Sequence, residues 1–190
     1  MHLAYPSREL THAGAFQLWA PRLYDYYRKT MKLVEEKTSE RRNFASSVFA
    51  CASVNFGPQV RCFRHRDSLN LPFGWCSIQA LGDFDPKKGG HLILWEAKLI
   101  VEFCHGSTVL IPSATVTHSN VGVRHYETRC SFTQYTAGGV FRWVDNGFQT
   151  EASLRASDPL KYAAMQEMKK TRWQGGLGLY STAHELSQAL

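Results

Sequence analysis

The sequence predicts a mainly β fold: a double-stranded β-helix (jelly roll) core braced by N- and C-terminal α-helices. Three observations predict it. Apolar residues step by three and four near both ends of the chain. Through the middle they form short β-rich runs, several of them alternating. Gly, Pro, Asn and Asp punctuate those runs at close spacing, as in sandwiches and barrels.

The elements follow in chain order. From Thr11 to about Glu40, Phe16, Leu18, Trp19, Leu23, Tyr26, Tyr27, Met31 and Val34 give helical spacing, with Pro21 breaking or restarting the helix. Tyr24, Tyr26 and Tyr27 lie beside Arg28 and Lys29 and could contact DNA, but core packing and surface are the expected roles. Ser47–Phe56 (SVFACASVNF) reads as a strand that ends at Gly57-Pro58. Val60–His65 and Trp75–Leu81 follow as strands. Gly82–Gly90 (GDFDPKKGG) reads as a loop by composition. His91–Trp95, Leu99–Phe103, Thr108–Ile111, Thr115–His118, Arg129–Thr136 and Val140–Val144 complete a set of about eight strands. Leu160–Lys170 returns to helical spacing, with Asp158 as N-cap and Pro159 at the first helical position. Gly175-Gly176 and Gly178 mark a turn, and a short segment with His184 and Leu186 closes the chain. The layout is one domain over 1–190: a helical extension (1–45), the jelly roll (46–148) and a second helical extension (149–190).

Bulk properties fit that picture. The 190 residues suit a single domain with a real core. Hydrophobic content of 44% and charged content of 20% are ordinary globular values and exclude a disordered chain. No apolar run has the length of a membrane span, and the opening MHLAYPSREL lacks the layout of a secretory signal. The five cysteines are odd in number and contain no C-x-x-C pair. A disulfide framework or zinc site is therefore not expected, and a reducing intracellular compartment is. Most of the cysteines are expected to pack as small apolar groups. Net charge is +6, which favours polyanionic partners. The cations are grouped: Arg22, Arg28, Lys29 and Lys32; Arg41 and Arg42; Arg61, Arg64 and Arg66; Lys87 and Lys88; Lys169, Lys170 and Arg172.

The chemistry concentrates around H-x-D at His65-Arg66-Asp67. On an extended chain, residues two apart point the same way, so both side chains can reach one metal. His118, in VTHSN on a late strand, is the candidate third ligand. Two imidazoles and a carboxylate on one octahedral face leave three positions open, the facial triad of non-haem Fe(II) oxygenases. Those positions suit a bidentate 2-oxo acid and O₂. Arg129 lies in an otherwise apolar strand (CSFTQY follows it), where an unpaired inward charge is costly. The far carboxylate of 2-oxoglutarate would resolve that cost with bidentate geometry. Ser131 faces the same way and can add a hydroxyl, and Asn55, a polar residue in an apolar strand, can reach the same pocket. HRD followed by GDF imitates kinase motifs, but the fifth residue after Asp67 is Pro72 and there is no G-x-G-x-x-G. The kinase reading is rejected.

Three stretches, HRDSLNLPFGWCSIQALGDFDPKKGGHLILWE, GSTVLIPSATVTHSN and ETRCSFTQYTAGGVFRWVDNGF, carry a family likeness. Together, from about Phe49 to Phe148, they resemble the TET/JBP family of 2-oxoglutarate/Fe(II) DNA-base dioxygenases, in its fungal, transposon-associated branch. The resemblance implies iron ligands at His65, Asp67 and His118, and a co-substrate R-x-S at Arg129 and Ser131. It implies that His91 contacts 2-oxoglutarate, that Asn70 hydrogen-bonds a flipped base, and that Tyr135 stacks on that base. The basic clusters, with Arg66 beside the ligands, would hold the phosphates. The cysteine-rich zinc module and the long barrel insertion of animal members are absent from these stretches. The implied reaction is oxidation of a methyl group on methylated DNA, the base flipped out of the duplex. 5-Methylcytosine going to 5-hydroxymethylcytosine and beyond is the first expectation. N6-methyladenine and thymine are alternatives within the family, and a protein or small-molecule hydroxylase or a non-catalytic binding module are alternatives outside it. The same reading expects a nuclear monomer with no membrane partner.

Overall fold

A computed structural model describes residues 8–40 and 44–189. The opening residues and the Arg41-Arg42 pair lie outside them. The chain divides into two compact units, 51–136 and 1–50 with 137–190.

The first unit is all β. Its strands are β1 (Cys51–Asn55), β2 (Cys76–Asp83), β3 (Leu92–Leu94), β4 (Leu99–Val101), β5 (Thr108–Ile111), β6 (His118–Asn120) and β7 (Thr128–Tyr135). They form two antiparallel sheets, ordered β1-β7-β2-β5 and β4-β3-β6. This is the mainly β architecture that the short runs predict. Ala80, Phe84, Leu92 and Phe103 are buried together, with Ile78, Leu94, Val101, Val109 and Val123 packed against them, so strands of both sheets share one core. Cys76 belongs to the buried set, and burial pushes its thiol up to about 12, which leaves it a packing group. Cys104 is exposed, and the other three cysteines are half-buried.

Several expected strands are shorter or absent. Val60–His65 makes only isolated bridges, at its flank Gln59 with Arg129 and at His65 with His118. Thr115–Thr117 is not strand, because Thr115 and Val116 close a turn onto the Pro112 carbonyl and pairing begins at His118. Ser47–Ala50 also precedes the strand: Val48 and Phe49 are buried in the helical unit.

The second unit is helical: α1 (Arg8–Trp19), α2 (Pro21–Thr38), α3 (Gly138–Asp145), α4 (Glu151–Ser157), α5 (Pro159–Leu177) and α6 (Ala183–Ala189). Pro21 restarts the helix as anticipated, at a first-turn position where its missing N–H is not needed. Its core is aromatic. Phe16 stacks on Phe49 (5.5 Å between centroids) and meets Tyr27 edge-on (5.3 Å). Tyr26 stacks on Phe141 and takes a hydrogen bond from Arg172. The tyrosines are thus packing residues.

Val140–Val144 is helix rather than the expected strand. Its apolar residues fit either period, and α3 buries Phe141 completely between Tyr26 and Tyr27. Tertiary contact overrides the β propensity of Val140, Phe141 and Val144. Asp158 caps α5 by accepting from the Lys161 N–H at 2.9 Å. The helix runs through Gly175-Gly176 instead of turning there, and Gly178 is its C-cap. No helix among the described residues is long and apolar enough to cross a membrane.

Candidate metal centre

The β unit encloses a cavity of about 450 Å³. Alternation places side chains on it. Along β7, Arg129, Ser131, Thr133 and Tyr135 all line it, and Ser53 and Asn55 do so from the neighbouring β1. The register explains the space. On β2, Ala80 stands opposite Ser131 and Gly82 opposite Arg129, so the R-x-S pair is flanked by the smallest side chains. Asn55 pairs with Ser131 from the other side and donates from Nδ2 to its hydroxyl at 3.0 Å.

His65, Asp67 and His118 converge at the same cavity. One potential ligand atom from each lies within 4.8 Å of the other two. His65 Nε2 is 3.6 Å from Asp67 Oδ1, and the two imidazole centroids are 4.3 Å apart. The backbone sets this. His65 and His118 exchange both N–H···O=C bonds (3.0 and 2.9 Å) as an isolated antiparallel bridge, and the Asp67 N–H donates to Ser113 O. The tautomers follow from the acceptors. His65 Nδ1 lies 2.7 Å from the Phe63 carbonyl and His118 Nδ1 lies 3.0 Å from that of Val116. A carbonyl only accepts, so each Nδ1 carries the proton and each Nε2 keeps its lone pair for a metal. His118 is buried, whereas the His65 side chain is 41% exposed, so the centre opens to solvent on one side.

Arg129 is 3% exposed. Its Nη1 donates to Val60 O at 3.2 Å and its Nε has no partner. No carboxylate pairs with it among the described residues, and burial pulls its pKa down. A buried guanidinium in that state is a destabilising feature unless an anion completes it. Two glycines bring the backbone close around it. A β-carbon on Gly57 would stand 2.5 Å from Arg129 O, and one on Gly82 (φ 120°) would stand 2.2 Å from Thr128 O.

The donor set fits the inferred groups. Two imidazoles and a carboxylate suit an octahedral divalent ion with open positions. The orphaned Arg129 Nε suits the carboxylate of a short diacid in the same cavity.

The other candidates distribute as follows. Asn70 lines the cavity and donates to Ser113 Oγ at 3.1 Å. Tyr135 lines it beside Ser53, their oxygens 3.4 Å apart. Arg66 lines it, donates to Thr117 Oγ1 at 2.8 Å, and pairs with Glu96 at 3.5 Å. His91 is not in the lining; it precedes β3, and its carbonyl accepts from the Val121 N–H. Residues that sequence reading passed over include Cys62, Leu69, Ser53 and Thr133. Period two from Asn55 and Ser131 was a signal for the last two. Nothing local marked Cys62, whose thiol is pushed up by burial against the opposing pull of Arg129.

No family model matches the chain, and no curated protein sequence does. Several solved structures show partial likeness, among them the following two. One is NgTET1 in complex with 5mC DNA, with 12% identity and a TM-score of 0.44 over 70% of this chain and 55% of that one. The other is the viral collagen prolyl hydroxylase vCPH from Paramecium bursaria Chlorella virus-1 in complex with 2OG. It has 11% identity and a TM-score of 0.33 over 58% of this chain and 70% of that one. The chain thus spans about half the length of the NgTET1 structure.

Proposed function

We propose that this chain is an Fe(II)- and 2-oxoglutarate-dependent dioxygenase that oxidises the methyl group of a modified base in DNA, with 5-methylcytosine as the first substrate. The observation that carries the enzyme class is the pairing, in one cavity, of the His65–Asp67–His118 cluster with a buried, partly unsatisfied Arg129. The DNA reading rests on the motif resemblance and on the grouped cations around the H-x-D segment.

His65, Asp67 and His118 would hold the iron. Arg129, with the Ser131 hydroxyl that Asn55 orients, would hold the distal carboxylate of 2-oxoglutarate. When bound, iron, the oxo acid and O₂ supply an oxidant strong enough for an unactivated C–H bond. The chain's own residues position. The Nδ1–H bonds fix both imidazole planes. Asn70, pinned to Ser113, presents a polar edge to a base, and Tyr135 presents a ring. A methyl inside a duplex cannot reach this cavity, so the base must leave the stack, at a cost of a few kcal/mol. His91 as a co-substrate contact, action as a monomer and a nuclear site of action belong to the same proposal.

The test is succinate release with Fe(II) and 2-oxoglutarate, comparing methylated and unmethylated DNA, with products read by mass spectrometry. Release stimulated by methylated DNA, with a hydroxymethylated product, is expected. N6-methyladenine demethylation or thymine hydroxylation would move the substrate within the family. Turnover indifferent to DNA would move it to a protein or small-molecule substrate. No turnover with iron bound would leave a non-catalytic binding module.

A further inference from the structure

The grouped cations differ in what holds them, most meeting a carboxylate, as Arg66 meets Glu96 in the β unit. In the helical unit, Arg28, Lys29, Lys169, Lys170 and Arg172 each hold a carboxylate. Their charges are largely spent within the unit. In the β unit, Arg61 and Arg64 hold none. Each instead lies over an aromatic face, Arg61 over Phe63 (4.8 Å) and Arg64 over Trp95 (4.5 Å). Trp95 is itself anchored, its Nε1 donating to Ser119 Oγ at 3.1 Å. Both guanidiniums are exposed and retain all of their N–H donors for a ligand. Lys87 and Lys88 are also unpaired, but neither rests on a ring, and they lie outside the segment whose Cys62, His65 and Arg66 line the cavity.

Leu69 is the second observation. It lines the cavity and is nevertheless 83% exposed, so it stands at the mouth. Its turn is held firmly. The Asn70 N–H donates to Asp67 O, the Asp67 N–H donates to Ser113 O, and the Asn70 side chain bonds Ser113 Oγ. Leu71, two residues on, is buried. A lone exposed leucine is ordinary. A rigid one at the lip of a cavity, on the segment that carries two ring-backed free arginines, has a specific use.

We propose that Arg61–Leu69 forms a lip that binds duplex DNA around the cavity. Arg61 and Arg64 hold phosphates near the target nucleotide, and Leu69 fills the gap left in the stack when the base enters. The proposal rests on the DNA reading above and deepens it. Charge complementarity names the occupant, since free guanidiniums share one short segment with an apolar wedge. An apolar side chain offsets lost stacking, as wedges in other DNA-bending proteins do.

The test uses the full chain with Fe(II) and 2-oxoglutarate, without O₂, so that binding is read without turnover. The probe is a short duplex with one 5-methylcytosine beside a 2-aminopurine, compared with the same strand alone. Anisotropy across a salt series should give a log–log slope that falls by about one for Arg61→Ala and again for Arg64→Ala. Leu69→Ala should keep the parent's slope and lose most of the 2-aminopurine fluorescence rise, while Leu69→Met keeps that rise. Unchanged slopes in both arginine variants, or a full rise in Leu69→Ala, overturns the lip. A parent that binds only the single strand here, and oxidises it in the aerobic succinate assay, keeps the substrate class and overturns the lip. A parent that binds neither form here, yet releases succinate in the aerobic assay, overturns both.

Discussion

Under the proposed function, Arg129 sets co-substrate binding against stability. Its guanidinium is buried with an orphaned Nε and no carboxylate partner among the described residues, and burial already disfavours its charge. Arg129→Met should therefore stabilise the ligand-free chain, by about 1–3 kcal/mol in thermal or denaturant unfolding, because an apolar stem replaces an unpaired charge. The same variant should raise the 2-oxoglutarate KM on the order of a hundredfold and abolish the Tm gain that added 2-oxoglutarate gives the parent. A variant less stable than the parent, with unchanged KM, would remove Arg129 from the co-substrate site. At the metal, Asp67→Ala should abolish turnover and iron uptake and leave the circular dichroism of the fold intact. Asp67 is partly exposed, so its removal opens no core cavity. Their shared cavity was foreshadowed because each violates a local expectation: a charge in an apolar strand, an H-x-D on an extended segment. Cys62, Ser53 and Thr133 violate none, and only their convergence on the cavity identifies them.

At the scale of elements, two glycines hold the strands around Arg129 at van der Waals limits. Gly57→Ala would drive a methyl to 2.5 Å from Arg129 O, a backbone atom that cannot swing away. The expected result is a displaced β7 and a rise in 2-oxoglutarate KM of about tenfold, read by initial rates. Gly82 adds a φ of 120°, so Gly82→Ala should also cost at least about 2 kcal/mol in denaturant unfolding. In the helical unit, Asp158→Ala removes the α5 N-cap and should cost about 1 kcal/mol without changing 2-oxoglutarate KM. The α5 start was legible because capping is local chemistry. The identity of α3 was not, because Val140–Val144 satisfies both periods and only the slot between Tyr26 and Tyr27 chooses the helix. The run through Gly175-Gly176 is a second case, where a continuing helix overrides the turn preference of glycine.

Across the whole molecule, the helical unit joins the two ends of the chain. Arg22 donates to the Gly178 and Tyr180 carbonyls and makes a two-pronged contact with Glu185. That contact and the Thr182 donors hold the Glu185 carboxyl down at about 2, below its usual 4.5. A depressed carboxyl contributes stability that is present above about pH 4.5 and is lost as pH falls toward about 2. Acid unfolding of the helices should show this, and Glu185→Gln should flatten the decline over that window. Parallel curves for the parent and Glu185→Gln would exclude the pair as a source of acid sensitivity.

The sequence by itself determined the fold class, the helix at each end, the cap at Asp158 and the residue types of a candidate metal site, since these depend on spacing and on local hydrogen bonding. It did not determine where strands stop, which period Val140–Val144 follows, which cations remain free, or that no carboxylate among the described residues reaches Arg129. Those are outcomes of pairing between residues far apart in the chain. His65 and His118 become neighbours only when their backbones bond to each other, and a guanidinium is free or spent according to which carboxylate folding brings within reach.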